Sequence, residues 1–349
     1  MLVSDFDFDL PDSLIAQEPA ARGTSRLLVL HRATGAIEHA SVADLPGFLQ
    51  AGDLMVVNDS RVFAARLLGH RVPSAGAVEC LLIRRTAEES NVWEALMHPG
   101  QKLKPGGQVR FEGAAGAISG EILDRHFFGR RTVRLTAENG GNLDALIDAL
   151  GHMPLPPYIT RPDTDADRER YQTVFARTRG SIAAPTAGLH FTPGLLSSLD
   201  LRGVARAAVT LHVGYGTFKP VRTEHVESHT VDSEPYEIEA PAAAAINRAK
   251  AESRRVVVVG TTTTRALEDS ASKGTGQVVA GAAQAIAFIY PGFQFRVADA
   301  LMTNFHLPKS SLLMLVAAFA GREQVLGAYS EAVAHRYRFY SYGDAMLIL

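Results

Sequence analysis

The chain has 349 residues, of which 46% are hydrophobic and 21% are charged, and its formal net charge is −2. This composition is that of an ordinary globular protein, and the length favours about two domains. The single cysteine, Cys80, excludes an intramolecular disulfide and any multi-cysteine zinc or iron–sulfur site. The near-neutral charge decides neither for nor against a nucleic-acid partner, because a local basic patch is enough to bind one short RNA loop.

The acidic first residues lack the basic segment that begins a signal peptide. The longest apolar run, residues 312–320, is too short to cross a bilayer. We therefore expect a cytoplasmic protein that makes no membrane contact.

The N-terminal part predicts the beginning of an α/β domain. Residues 10–17 favour a short helix, and residues 27–31 and 36–40 flank a Thr-Gly turn and predict a β-hairpin. Residues 42–50 favour a helix that a Pro-Gly pair interrupts. Residues 53–59 then predict a buried strand that ends in polar side chains.

Between residues 67 and 150 the pattern changes to short β-type runs separated by Gly and Pro turns. Such regularly spaced short strands predict a small antiparallel β-barrel. Helical and strand patterns alternate again from residue 153, so we predict an α/β main domain with a mixed sheet, formed by residues 1–66 and 151–349, which the barrel domain of residues 67–150 interrupts. The predicted barrel strands are residues 78–84, 92–97, 108–111, 118–122 and 131–135.

The second part of the main domain predicts strands and helices in alternation. Residues 162–179 are rich in both charges and predict a mobile loop. The all-apolar run 256–260 is typical of a strand covered on both faces of a sheet. The other predicted strands are residues 181–184, 204–211, 286–290, 300–304 and 345–349, and the predicted helices are residues 241–254, 310–320 and 323–336.

Three histidines lie in irregular runs beside predicted strands. His190 precedes a helix that Thr192 is expected to cap, His212 follows a predicted strand, and His306 is followed closely by a proline. A structural role explains any one of them alone. Together, on loops that follow strands, they are equally consistent with one shared cleft.

A glycine and four threonines, residues 260–264, lie between a predicted strand and a predicted helix. Free backbone N–H groups and the helix dipole favour an anion there, although a threonine-capped helix without a ligand has the same pattern. The chain has no Walker A motif and no GxGxxG fingerprint, which argues against an ordinary NTPase or dehydrogenase.

His225, His229, Asp232 and Glu234 have a spacing that a metal site can use. Nothing nearby completes a recognised metal motif. We therefore expect no metal and favour a polar segment in which one residue acts as an acid or a base.

Aromatic and basic side chains are compatible with RNA without establishing it. Tyr290, Phe293 and Tyr342 lie in aromatic loops that could stack on bases or face a cation, and core packing explains them equally well. Arg61 and Lys219 could contact phosphates, but solvated charges have the same pattern. The residues alone leave two classes open, a transferase acting on a nucleotide-like substrate and an RNA-binding module without chemistry.

Long motifs along nearly the whole chain resemble those of the S-adenosylmethionine:tRNA ribosyltransferase-isomerase family of queuosine biosynthesis. There are two departures. Asp232 occupies the place of a family histidine, which argues against an essential imidazole there, and Thr263 and Thr264 vary the family pattern, which makes them poor catalytic candidates. The matching motifs are residues 14–17, 25–28, 52–62, 98–100, 102–106, 155–159, 170–174, 184–191, 212–218, 288–292, 303–308 and 337–346.

The resemblance implies a monomeric enzyme that uses S-adenosylmethionine as a ribosyl donor and co-substrate. The implied acceptor is the aminomethyl-deazaguanine at the wobble position of a tRNA, and the implied products are epoxyqueuosine-tRNA, adenine and methionine. No metal or other cofactor is needed. The chemistry asks for a base, because the sulfonium acidifies the neighbouring ribose carbon, and for an acid that protonates the leaving adenine.

Candidate roles follow from this resemblance. His190, His306 and Glu234 are the candidate acid and base, with no decision between them. The aromatic loops would face the sulfonium or stack on a base, and the threonine-rich turn would hold the methionine carboxylate. The predicted substrate-binding residues are Asn58, Asp59, Arg61, Thr186, His212, Tyr215, Lys219, Gly260, Thr261, Thr262, Arg265, Tyr290, Phe293, Asn304, Tyr342 and Asp344.

Overall fold

A computed structural model describes residues 1–87 and 91–349 of the chain. The larger body is a nine-stranded mixed sheet with apolar clusters packed on both faces. The smaller body is a closed barrel of six strands, and every neighbouring pair in it is antiparallel. The predicted fold class is therefore confirmed.

The bounds of the elements are as follows. In chain order the strands are β1 (Arg26–His31), β2 (Ala36–Ser41), β3 (Leu54–Asn58), β4 (Ser60–Val62), β5 (Arg66–Val72), β6 (Ala77–Ala87), β7 (Val92–His98), β8 (Gln108–Gly113), β9 (Gly116–Arg125), β10 (Arg130–Ala137), β11 (Thr178–Ser181), β12 (Ala205–Leu211), β13 (Glu234–Ile238), β14 (Val256–Val259), β15 (Gly281–Ala285), β16 (Ala300–Asn304) and β17 (Ala345–Ile348). The α-helices are α1 (Leu45–Phe48), α2 (Leu143–Leu150), α3 (Asp165–Arg170), α4 (Pro193–Leu201), α5 (Ala240–Ala251), α6 (Thr261–Lys273), α7 (Ser311–Ala320) and α8 (Arg322–Ala334).

The strand order of the main sheet is β15-β13-β12-β3-β14-β16-β17-β1-β2. The four central strands β12, β3, β14 and β16 are parallel, so their carboxyl ends meet at one edge of the sheet. Strand β17 is antiparallel to β16, and β1 is parallel to β17, which brings the amino ends of these two strands to the same edge. In open α/β sheets this edge is where ligands bind.

The central strands are apolar on both faces because each face is covered. In β3, Leu54 and Val56 belong to the cluster on one face, and Met55 and Val57 belong to the cluster on the other. The alternation follows from the two-residue period of a strand. It explains why these strands show continuous apolar runs in the sequence.

The barrel strands β5 to β10 are consecutive in the chain and enclose an apolar core that includes Trp93 and Phe111. The short strands β4 and β11, which lie before and after this segment, pair with each other in parallel. This small ladder closes the base of the insertion. The domain limits at residues 67 and 150 stay a prediction.

Two predicted helices near the N-terminus differ from the structure. Residues 10–17 form only a 3₁₀ turn at Asp12–Leu14, because Ile15 pairs with Phe339 as a β-bridge instead of continuing a helix. Residues 42–50 form a 3₁₀ turn followed by α1, and Pro46 does not break this helix because it lies in the first turn, where a missing N–H costs nothing.

Two predicted strands were wrong. Residues 286–290 form no strand: β15 ends at Ala285, and the backbone N–H of Ile286 donates to Asp269 rather than to a neighbouring strand. The strand expected at residues 181–184 is β11, which ends at Ser181, where the hydroxyl bonds to the carbonyl of Ala183.

The mobile loop predicted at residues 162–179 was also wrong, because this segment contains helix α3. Its anchor is Asp167, a buried carboxylate that accepts hydrogen bonds from Arg161, Thr164 and Tyr342. Burial alone would raise the pKa of Asp167, but these hydrogen bonds outweigh it and hold that pKa well below its usual range. Three of the charges that suggested mobility, Asp167, Arg177 and Arg179, are therefore held in ion pairs.

Within residues 1–87 and 91–349, no single helix is long and apolar enough to cross a membrane. Helices α7 and α8 reach that length and hydropathy only when they are counted together, and they are bent by 115° at the break between them.

Candidate active site

A cavity of about 370 Å³ opens at the edge where the carboxyl ends of the central strands meet. Seven of the predicted site residues line it. They are Thr186, Lys219, Gly260, Thr261, Thr262, Asn304 and His306.

One wall of the cavity is the amino end of helix α6. Gly260 has a φ of 92°, a conformation that favours glycine, and it lets β14 turn directly into the helix. Thr261 and Thr262 follow in the first helical turn, whose backbone N–H groups have no partner within the helix. Thr263 and Thr264 instead bond back to the carbonyls that precede the helix. The wall thus suits an anion, and the last two threonines are structural.

His190 does not line the cavity but holds a residue that does. Its Nδ1 lies 3.0 Å from Ser25 Oγ, and its Nε2 lies 3.2 Å from Asn304 Nδ2. The Asn304 amide nitrogen also donates to the carbonyl of Tyr340. These contacts fix the orientation of the amide and leave Asn304 Oδ1, a buried acceptor, without a hydrogen-bond partner among the residues that the structure describes. An unpaired buried acceptor on a cavity wall is suited to a ligand donor.

Tyr340 is a cavity residue that the sequence did not identify. Its ring lies 4.0 Å from that of Tyr158, and its buried hydroxyl has no hydrogen-bond partner. The backbone φ of Tyr340 is 76°, a value that is rare for a bulky residue. This conformation gives its side chain a different direction from the side chains of its sequence neighbours. No local signal separates Tyr340 from Tyr342 in the sequence, because only the folded backbone fixes this conformation.

His306 lines the cavity directly. Its Nε2 lies 2.9 Å from Thr303 Oγ1, and its backbone N–H donates to the hydroxyl of Tyr329. Burial lowers the pKa of His306 to about 3 and that of His190 to about 4, the latter with a further contribution from Arg338. Both rings are therefore neutral at pH 7.

Glu234 lies beside the cavity in a buried ion pair with Arg265. Arg265 Nη1 is 2.5 Å from Glu234 Oε2, and the backbone N–H of Gly214 donates to the other oxygen. Burial raises the pKa of Glu234, while Arg265 opposes this rise. Both residues line a small cavity that shares Thr217 and Leu312 with the main one.

Three predicted site residues at the ends of β3 and β12 contact protein groups. Asn58 bonds through its amide to the backbone of Leu211, and Asp59 accepts from Thr210 and Arg177. His212 Nδ1 lies 2.7 Å from Ser60 Oγ, and burial lowers its pKa.

The remaining predicted residues lie apart from the main cavity. Tyr342 is 4% exposed and donates to Asp167, so a base could stack on its ring only after the surrounding residues move. Asp344 accepts from the backbone of Arg26 and Arg338. Tyr290 and Phe293 are half-buried and pack against aromatic neighbours. Arg61 is exposed on β4, and Tyr215 lines a groove that is described below.

The described residues do not gather His225, His229, Asp232 and Glu234 into a metal site. In the part of the chain that the structure describes, one group of three potential metal ligands lies close together. It is formed by His39, Glu331 and His335 on the surface. Carboxylates and imidazoles form such surface groups without a metal, and the group does not line the cavity.

The structure is that of an α/β protein with a β-barrel and with a cavity at the carboxyl edge of its main sheet. The chain belongs to the queuosine biosynthesis protein family, whose model matches residues 3–348. This confirms the family that the motifs indicated.

Individual relatives match the chain from end to end. It is 50% identical to an S-adenosylmethionine:tRNA ribosyltransferase-isomerase of Desulfitobacterium hafniense and 51% identical to one of Citrifermentans bemidjiense, with 100% of both chains covered in each case. It also resembles the crystal structure of S-adenosylmethionine tRNA ribosyltransferase from Thermotoga maritima, with 37% identity, a TM-score of 0.54 and coverage of 99% of this chain and 100% of that one.

Proposed function

We propose that this chain is an S-adenosylmethionine:tRNA ribosyltransferase-isomerase. It transfers and isomerises the ribosyl moiety of S-adenosylmethionine onto the aminomethyl-deazaguanine at the tRNA wobble position. The products are epoxyqueuosine-tRNA, adenine and methionine. Full-length membership of the family supports this proposal.

The single structural observation that carries the proposal is the composition of the cavity. Its volume of about 370 Å³ lies in the range of sites for small organic ligands. The amino end of α6 suits the methionine carboxylate, and the unpartnered Asn304 Oδ1 suits a donor such as the exocyclic amine of adenine. The Tyr158–Tyr340 pair, rather than Tyr290 or Phe293, places aromatic rings beside the space where the sulfonium would lie.

Among the three catalytic candidates, His306 is the best base. It is the one candidate among the three that lines the main cavity, and its imidazole can accept the ribose proton next to the sulfonium when substrate is bound. His190 acts as a positioning residue through Asn304. Glu234 is paired with Arg265 and lines the small adjoining cavity, so its role is to hold Arg265 in place.

We further propose that the enzyme works as a cytoplasmic monomer without a metal or another cofactor. In the proposed reaction S-adenosylmethionine supplies the ribosyl group as a co-substrate, and the described acidic and histidine residues leave the cavity without a ligand cluster. Turnover that survives EDTA and sedimentation as one species of monomer mass are the expected results.

The deciding experiment incubates the protein with S-adenosylmethionine and a tRNA that carries the aminomethyl-deazaguanine. Free adenine and free methionine are then quantified, with unmodified tRNA as the control. Release of both products that depends on the modified base would establish the reaction. Tight tRNA binding without adenine release would instead favour an RNA-binding module without chemistry.

A further inference from the structure

A second depression lies between the barrel and the main domain. This interdomain groove has a volume of about 1050 Å³. Basic, aromatic and histidine side chains of both bodies line it. The barrel contributes β6, β7 and the β9–β10 hairpin. The main domain contributes the segment between Tyr215 and Thr223 together with His229.

The tip of the β9–β10 hairpin carries two adjacent phenylalanines that are almost fully exposed. Phe127 is 87% and Phe128 is 92% exposed, and their ring centroids are 6.5 Å apart. Single exposed apolar side chains are ordinary, but two neighbouring aromatic rings on the wall of a groove indicate a binding surface. The hairpin is closed below them by the backbone hydrogen bond from His126 to Arg130. The rings are thus presented by an ordered turn.

The charge of the groove favours a polyanion. Arg84, Arg130, Lys219 and Arg222 line it together with the carboxylate of Glu94. Asp232 lies outside the lining but pairs with Lys219 and Arg130, so four cations face two carboxylates. Glu94 is shared between Arg84 and Arg130, and the Arg84 side chain is still 72% exposed. An excess of cations beside exposed aromatic rings is the combination that binds single-stranded nucleic acid.

The groove adjoins the cavity. Lys219 and Pro220 line both, and Tyr215, on the same segment, lines the groove. A chain bound along the groove would therefore lie next to the cavity.

We propose that the interdomain groove is the docking surface for the single-stranded loop of the tRNA, with bases stacked on Phe127 and Phe128 and with phosphates on the groove cations. The barrel is then an RNA-holding domain, and the main domain performs the chemistry. This inference rests on the proposed function, since it takes tRNA as the substrate. Stacking suits the RNA loop because unpaired bases expose their faces.

The test measures the affinity of the full chain for a short synthetic RNA hairpin with an unmodified single-stranded loop, without S-adenosylmethionine. The double variant Phe127→Leu/Phe128→Leu keeps the apolar character and removes the ring faces, whereas Phe127→Tyr/Phe128→Tyr keeps the rings. We expect the leucine variant to bind about tenfold or more weakly and the tyrosine variant to bind as the wild type does. Leu201→Ala is the control, because Leu201 is 91% exposed on α4 and does not line the groove.

Steady-state kinetics give the second readout. With modified tRNA, the leucine variant should raise the KM for tRNA about tenfold, while kcat and the KM for S-adenosylmethionine stay within about twofold of the wild-type values. Removing Arg222 by Arg222→Ala should lower the salt slope of RNA binding by about one.

Equal RNA affinity and equal tRNA KM in the leucine and wild-type proteins would overturn the proposal. A leucine variant that keeps its RNA affinity but no longer binds anionic lipid vesicles, or no longer self-associates, would also overturn the proposal. The rings would then serve a membrane or a protein partner. A wild-type protein that binds the RNA hairpin through the rings but releases no adenine contradicts the proposed function alone. The two failures are therefore distinguishable.

Discussion

The cavity and the interdomain groove use polar side chains in opposite ways. In the cavity, His190, Asn304 and the Glu234–Arg265 pair are buried and held by other protein groups. In the groove, the Arg84 side chain is exposed to solvent, and its partner Glu94, although largely buried, keeps a second cation in Arg130. A buried polar group that loses its partner costs far more than an exposed one. Single substitutions should therefore have large effects in the cavity and small, salt-dependent effects in the groove.

The largest effect is expected for His306→Ala. Removing the proposed base from the cavity should lower kcat about 10²- to 10⁴-fold, which is the usual contribution of general base catalysis. The measurement is adenine release at saturating substrates, with the thermal midpoint followed in parallel. His335→Ala, at an exposed histidine outside the cavity, is the matched control and should keep full activity. Retention of more than a tenth of kcat in His306→Ala would rule out this role.

The next largest effect is on folding. Arg265→Met leaves the Glu234 carboxylate buried without its cation and should lower the free energy of unfolding by about 3–5 kcal/mol. Urea unfolding at pH 7 measures this change. The double variant Arg265→Met/Glu234→Leu removes both charges and should recover most of the loss. A single variant as stable as the wild type would show that the pair is not desolvated.

Acid should destabilise the protein through the two buried histidines. Because the folded-state pKa values of His190 and His306 are about 4 and about 3, the unfolded state binds more protons below an ordinary pKa of about 6.5. The stabilisation is complete above this value and is lost as the pH falls toward 4 and 3, by about 1.4 kcal/mol per pH unit for each ring. Unfolding midpoints at pH 7, 6 and 5 measure the slope. His306→Ala should have a shallower slope, and an unchanged slope would mean that His306 is charged in the folded state.

Tyr340→Phe should separate binding from stability. The hydroxyl has no partner in the free protein, so its removal should leave the free energy of unfolding unchanged or raise it. Loss of a hydrogen bond to substrate should weaken S-adenosylmethionine binding about tenfold. Calorimetric titration measures the affinity for S-adenosylmethionine, and urea unfolding measures the stability. Tyr342→Phe is the comparison variant, because it removes a hydrogen bond to Asp167 and should destabilise the fold. Unchanged affinity in Tyr340→Phe would place the hydroxyl outside the contact.

The smallest effect is expected in the groove. Arg84→Ala should change the free energy of unfolding by less than about 0.5 kcal/mol, because the Arg84 side chain is exposed and the largely buried Glu94 keeps its second cation, Arg130. Its RNA affinity should fall only a few-fold at low salt and converge with the wild-type value at high salt. A stability loss comparable to that of Arg265→Met would remove the contrast between the two regions.

The sequence by itself determined the elements whose signals are local. The continuous apolar run of β14, the Gly and Pro turns between the barrel strands, and the Thr192 cap of α4 each follow from neighbouring residues, and each was found. The same holds for the amino end of α6 and for the polar residues at the end of β16, which line the cavity as irregular segments after strands often do.

Only the tertiary structure decided which of these residues face one another. The neighbours at the cavity edge come from strands that are distant in the chain, so no local pattern could show that His190 holds Asn304 or that Arg265 covers Glu234. Backbone conformation, which a pattern of residue types does not encode, selected Tyr340 over Tyr342. Local rules fix elements because they depend on sequence neighbours, whereas a site depends on strand order, and strand order is a property of the whole chain.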